Sequence, residues 1–184
     1  MTFDLKEAVE HAEVIIISIS SQGLRGFMEK ILACGGKDKI FVLCMKGIEI
    51  STGCRLSEVV VQSGVSPDNV AVWVGPGHIQ AFTQGIPNCM VIDSDNDNIK
   101  EMLVNEFSSS LIRMYIGTDL IGSEIGAAAK NVIGIVAGML DGLGYQSLKG
   151  ALMARGAHEI SRLIGKLGGN ALSAYGLCHL GDYE

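Results

Sequence analysis

The sequence predicts an α/β fold: a mostly parallel sheet covered on both faces by helices, followed by an all-α part. Three observations predict it. Short β-branched runs alternate with helical patterns through residues 1–117, and that alternation makes parallel sheets. The runs are continuously apolar rather than alternating, which marks strands buried on both faces. After residue 117 no strand-like run returns and only helical spacing remains. The shift divides the chain into 1–117 and 118–184.

Each element follows from its residues. Leu5 to Ala12 reads as a helix with Asp4 as its N-cap. Val14 to Ile19 is the first strand, and Ser20-Ser21-Gln22-Gly23 turns the chain into a helix over Leu24–Cys34. Gly35-Gly36 closes that helix. Ile40–Cys44 is the second strand and ends at Met45-Lys46-Gly47. A helix over Leu56–Gln62 leads to the third strand, Val70–Val74, which runs into Gly75-Pro76-Gly77-His78. Cys89–Ile92 and Ile112–Tyr115 are the last two strands, with a helix over Asp97–Phe107 between them. Helices follow at 119–139, 147–167 and 170–177.

Composition narrows the function classes. With 48% hydrophobic and 18% charged residues the chain can build a core. A net charge of -6 and the lack of a basic stripe argue against nucleic acid as a partner. The five cysteines form no C-x-x-C pair and read as reduced core thiols. A cytoplasmic location is expected, with no metal site. The uncharged stretch Val132–Leu140 is too short to span a bilayer, so no membrane insertion is expected.

The segment Leu120–Leu140 carries the most chemistry. Ile121, Ile125, Ala128, Val132, Ile135 and Met139 repeat at helical spacing, and the opposite face is also small or apolar. Such a helix is expected to be buried all round. Lys130 and Asn131 then become polar groups in a core. Burying an ammonium lowers its pKa and makes a candidate base. The alternative is a lysine whose stem lies on apolar neighbours while its head reaches water. Three strand ends add polar or glycine-rich residues: Ser20-Ser21, Lys46-Gly47 and Gly75-Pro76-Gly77. Each alone is an ordinary turn. Together, at the carboxyl edge of one sheet, they suit an anionic ligand such as a phosphate.

Lys46-Gly47-Ile48-Glu49, Gly75-Pro76, Gly126-Ala127-Ala128-Ala129-Lys130-Asn131 and Leu180-Gly181-Asp182 occur in that order. In this combination the chain resembles NAD(P)-dependent glycerol-3-phosphate dehydrogenase over essentially its whole length. The resemblance implies the second half of a Rossmann-type sheet with part of a helical substrate domain. It implies NAD or NADP as cofactor and a small phosphorylated substrate, within glycerophospholipid precursor synthesis. Lys130 would be the catalytic acid and base. Lys46, Gly75, Gly77, Asn131 and Asp182 would face the substrate, and Ser20, Ser21, Lys46 and Ile79 the cofactor. Gly126, one turn before Lys130, would leave room for substrate, and Lys46 would help keep Lys130 neutral. A non-catalytic oligomerisation module, a ketopantoate reductase and a 3-hydroxyacid dehydrogenase are the alternatives.

The chain departs from the family pattern in places. The glycine-rich dinucleotide loop and the Arg-Asn pair of the family are not found, and Gly77 replaces a hydroxyl residue that His78 would have to substitute. Little or no dehydrogenase activity is therefore expected of this chain. Loss of the neighbouring strands would make Val14–Ile19 a long apolar edge. A homo-oligomer that covers this edge, or an exposed helical face, is expected.

Overall fold

The computed structural model describes residues 1–77 and 79–182, with Ile79 described by its backbone alone. Its centre is a five-stranded sheet: β1 (Val14–Ile17), β2 (Ile40–Leu43), β3 (Val70–Val74), β4 (Asn88–Ser94) and β5 (Ile112–Ile116). The strands lie in sequence order, β1-β2-β3-β4-β5. β1, β2 and β3 are parallel, β4 runs antiparallel to β3, and β5 is parallel to β4. β3 and β4 are joined by residues 75–87, a shorter connection than those between the parallel neighbours. It has room only for α4 (Ile79–Thr83), a helix the sequence reading did not anticipate.

The helices match their sequence signals closely. α1 (Leu5–His11) is capped by Asp4, whose Oδ1 accepts from the backbone N–H of Lys6 at 2.8 Å. α2 (Leu24–Ala33) and α3 (Leu56–Gln62) cover one face, and α5 (Asp97–Phe107) joins β4 to β5. The main core packs Ile17, Phe41, Leu43 and Val72 against Leu24, Met28 and Val59. A second cluster gathers Val42, Ala71, Ile92, Leu103 and Met114 on the other face.

Three expectations need correction. The first strand ends at Ile17 rather than Ile19 and is not buried on both faces, since Ile16 is exposed. It is an edge strand, as expected, but a short one. The helix expected over 170–177 is a 3-10 segment, Ala171–Tyr175. The largest difference lies in α6 (Leu120–Gly142), which is not buried all round. Its first eight residues pack on the sheet and on α7 (Lys149–Lys166), but Val132, Ile135 and Met139 are 60–67% exposed. Length explains this. A helix of 23 residues is about 34 Å long, whereas a five-residue strand covers about 17 Å, so half of α6 overhangs the sheet. By length and composition α6 could cross a membrane. Its first half is instead packed into the core, with Leu120 and Ala127 joining the β-strand cluster.

This topology positions the site. The carboxyl ends of β1, β2 and β3 share one edge of the sheet. Because β4 is antiparallel to β3, β5 delivers the chain to the opposite edge, where α6 begins. Lys130 is ten residues into α6, about 15 Å along its axis. That length returns Lys130 to the carboxyl edge.

Candidate active site

Lys46, Lys130 and Asp182 come from three distant parts of the chain and meet at one carboxylate. Lys46 follows β2, Lys130 lies mid-way along α6, and Asp182 ends the 3-10 turn Leu180–Asp182. Lys130 Nζ lies 2.6 Å from Asp182 Oδ2 and also donates to the Asp182 carbonyl at 3.3 Å. Lys46 Nζ pairs with the same Oδ2 and donates to the Gly75 carbonyl at 3.3 Å. The Asp182 side chain is 1% exposed, against 16% for Lys130 and 24% for Lys46. Asp182 Oδ1 is buried with no hydrogen-bond partner among the described residues. A buried acceptor without a donor costs free energy, and such a group calls for a reason. Here it is a free acceptor beside two ammonium groups.

The segment carrying Asp182 reaches Lys130 by riding in a groove on α6. Gly122, Gly126 and Lys130 are spaced by four and share one face of the helix. At Gly122 a Cβ would fall 2.6 Å from Ser173 Oγ. At Gly126 it would fall 3.0 Å from Cys178 Sγ and 3.1 Å from His179 Cβ. The buried His179 ring holds its Nδ1 2.9 Å from the Gly126 carbonyl. The missing side chain of Gly126 therefore admits the protein's own 173–182 segment, rather than making room for substrate. One turn further along, the same groove presents Lys130 to Asp182.

Burial and two charged neighbours act on the Lys46 ammonium. Burial pushes the Lys46 ammonium below its ordinary range; Asp182 opposes that shift and Lys130 adds to it. Lys130 shares the Asp182 carboxylate with Lys46. It is neither sealed in the core nor extended to open water.

The other sequence-predicted residues fall into place unevenly. A cleft of about 630 Å³ opens beside Lys130 and Asp182 and is lined also by Asn131, Gly134, Ile135 and Gly138. Asn131 is exposed on this cleft rather than set in the core. Ser20 is exposed in extended backbone at the end of β1. Ser21 backs the loop after β2: a Cβ on Gly47, whose φ is 148°, would lie 3.0 Å from Ser21 Oγ. Gly75 adopts a φ of 126° and lies against Met90, where a Cβ would come within 3.2 Å of the Met90 Cα. Gly77 is exposed. The Ile79 side chain and His78 lie outside the described residues. Cys44 and Cys178 have thiols pushed up by burial to about 11 and about 12, which suits inert core groups.

Sequence reasoning missed one network beside the site. Glu124, six residues before Lys130 on α6, is buried and paired with Arg55 at 2.5 Å. Ser57 donates to it from its backbone N–H at 2.8 Å and its hydroxyl at 2.6 Å. Burial raises the Glu124 carboxyl, and the Ser57 and Arg55 contacts oppose the shift. The signal was a carboxylate inside an apolar helix, which must find partners when buried.

Family models match both parts of the chain. The family model for the N-terminus of NAD-dependent glycerol-3-phosphate dehydrogenase matches residues 1–100, and the model for its C-terminus matches residues 119–184. A glycerol-3-phosphate dehydrogenase [NAD(P)+] of Pelodictyon phaeoclathratiforme is 39% identical, over 99% of this chain and 56% of its own length. The crystal structure of the Coxiella burnetii glycerol-3-phosphate dehydrogenase superposes with a TM-score of 0.90 at 27% identity, covering 98% of this chain and 55% of that one. The yeast Saccharomyces cerevisiae enzyme shares the fold, with a TM-score of 0.83 at 20% identity, over 98% of this chain and 55% of that one. The chain thus spans about half the length of the curated relatives it matches. With both family models in chain order and two lysines meeting at Asp182, the chain belongs to the NAD-dependent glycerol-3-phosphate dehydrogenase family.

Proposed function

We propose that this chain carries the proton-transfer site of a glycerol-3-phosphate dehydrogenase, which interconverts dihydroxyacetone phosphate and sn-glycerol 3-phosphate. The observation that carries this reading is the carboxylate of Asp182, shared by Lys46 and Lys130, with Oδ1 buried and without a hydrogen-bond partner among the described residues. In the reducing direction Lys130 gives a proton to the carbonyl oxygen of the substrate. In the oxidising direction it takes the proton of the secondary alcohol. Asp182 Oδ1 accepts a substrate hydroxyl. Lys46 adds positive charge toward the anionic substrate, and Asn131 orients substrate from the wall of the cleft.

Bound NAD or NADP supplies or receives the hydride. The donors along the carboxyl edge fit a dinucleotide chemically: the Ser20 and Ser21 hydroxyls, the Lys46 ammonium and the Gly75–Gly77 turn. In this reading residues 1–117 serve the cofactor and 118–184 the substrate. The setting is the cytoplasm, with no nucleic acid and no membrane insertion. A second copy of the chain covers the exposed face of α6. Support for that pairing is the apolar run of Val132, Ile135 and Met139 in open solvent.

The test measures NAD(P)H-dependent reduction of dihydroxyacetone phosphate together with thermal protection by sn-glycerol 3-phosphate. Protection of the native chain is expected, and its loss in Lys130→Met and Asp182→Asn. Where turnover is present, Lys130→Met should lower it by about 10²–10⁴-fold. A native chain with neither turnover nor protection would overturn the reading in favour of a non-catalytic module.

A further inference from the structure

Residues 48–55 form a small closed hairpin. Ile48 and Arg55 pair as an antiparallel bridge, and the Glu49 N–H donates to the Cys54 carbonyl at 3.0 Å. One end of the hairpin begins two residues after Lys46. That end is fixed to the start of α2. The Gln22 side chain donates to the Ile48 carbonyl at 2.9 Å and accepts from the Ile50 N–H at 2.9 Å. Arg25 grips Glu49 with two parallel bonds of 2.9 and 2.7 Å, a geometry that holds both position and orientation.

The other end is fixed to α6. Arg55 pairs with Glu124, and Ser57, at the start of α3, donates twice to the same carboxylate. Glu124 is 5% exposed and Arg55 17% exposed, so solvent screens this contact little. Glu124 precedes Lys130 by six residues, about 9 Å along the axis and about 120° around it. The contact therefore sets both the height and the rotation of α6 from the side away from Asp182.

We propose that the 48–55 hairpin is a strut that fixes the spacing of Lys46 and Lys130, with Glu124 as its positioning residue on α6. Glu124 touches neither lysine. It acts by holding α6 to the loop that carries Lys46, so that both ammonium groups reach one carboxylate.

Competitive acetylation of the folded chain, read by mass spectrometry at single lysines, tests the strut without any need for catalysis. Its failure and the failure of the dehydrogenase reading are thus separate results. Lys100 serves as an internal control. It is buried, bonded to the Gly117 carbonyl at 3.1 Å, and remote in sequence from the hairpin. Glu124→Gln should raise labelling of Lys46 and Lys130 severalfold over native while Lys100 stays as protected as before. Ser57→Ala, which removes one of the donors to Glu124, should give the same pattern more weakly, and it decides the matter if Glu124→Gln does not fold. Labelling that rises equally at all three lysines would reduce Glu124 to a general stabiliser and overturn the proposal. Unchanged labelling at Lys46 and Lys130 would overturn it too.

Discussion

At the scale of single residues, Gly126 carries more of the site than its size suggests. It was legible in the sequence as part of the motif before Lys130, but its job was not. A missing side chain one turn before a lysine can equally admit a ligand or another part of the protein, and sequence has no measure of which. The structure fills that space with Cys178 and His179. Adding one methyl group there would push away the segment that ends in Asp182. Gly126→Ala should therefore destabilise the chain by about 1–3 kcal/mol, the usual cost of overpacking a tight contact. A lower melting temperature in thermal denaturation is the expected sign; an unchanged one would mean the segment yields freely. Asn131 makes the complementary point. Its place next to Lys130 was plain, but one step along a helix turns a side chain by 100°, and that step carries Asn131 to the exposed wall of the cleft.

At the scale of elements, the strands and most helices were readable because each is a local pattern of apolar residues. The 48–55 hairpin was not, because its bonds join residues from α2, α3 and α6 that no short window contains. Its anchor has a measurable pH signature. Arg25 and Thr52 hold the Glu49 carboxyl at about 2, against an ordinary 4.5. A carboxyl lowered in the folded state contributes stability that is complete above its unfolded value and is lost as pH falls through its folded value. The native chain should thus be more stable than Glu49→Gln at pH 6, with the difference shrinking between about 4.5 and 2. Melting temperatures of both proteins across that range check it, and a difference independent of pH would remove the Arg25 anchor from the account.

At the scale of the whole molecule, α6 joins a buried half to an exposed one. The first half shares its core with the sheet, while the second half carries Val132, Ile135 and Met139 into solvent. Large contiguous apolar surfaces on soluble proteins mark places of contact. In the oligomer proposed above, Ile135→Glu should shift the chain toward monomer in sedimentation velocity at micromolar concentration. A native chain that is already monomeric there would remove the self-association reading. The edge strand β1 is shorter than its sequence promised, so that only four strand residues lie along that edge.

The sequence by itself determined the strands, most of the helices that separate them, the change to an all-α part near residue 117, and a resemblance to one family in the segments that hold Lys46, Lys130 and Asp182. These are properties of spacing and residue type, which the chain carries without folding. Only the tertiary structure decided how those residues work together. The antiparallel turn at β4 sends α6 back across the sheet, and two glycines on α6 seat the last segment against it. The strut from Arg55 to Glu124 sets the helix, and both lysines then close on one carboxylate. The overhang of α6 was decided there as well. A pattern of apolar residues says which face a helix would bury, but the length of the neighbouring strands determines how much of that face finds cover.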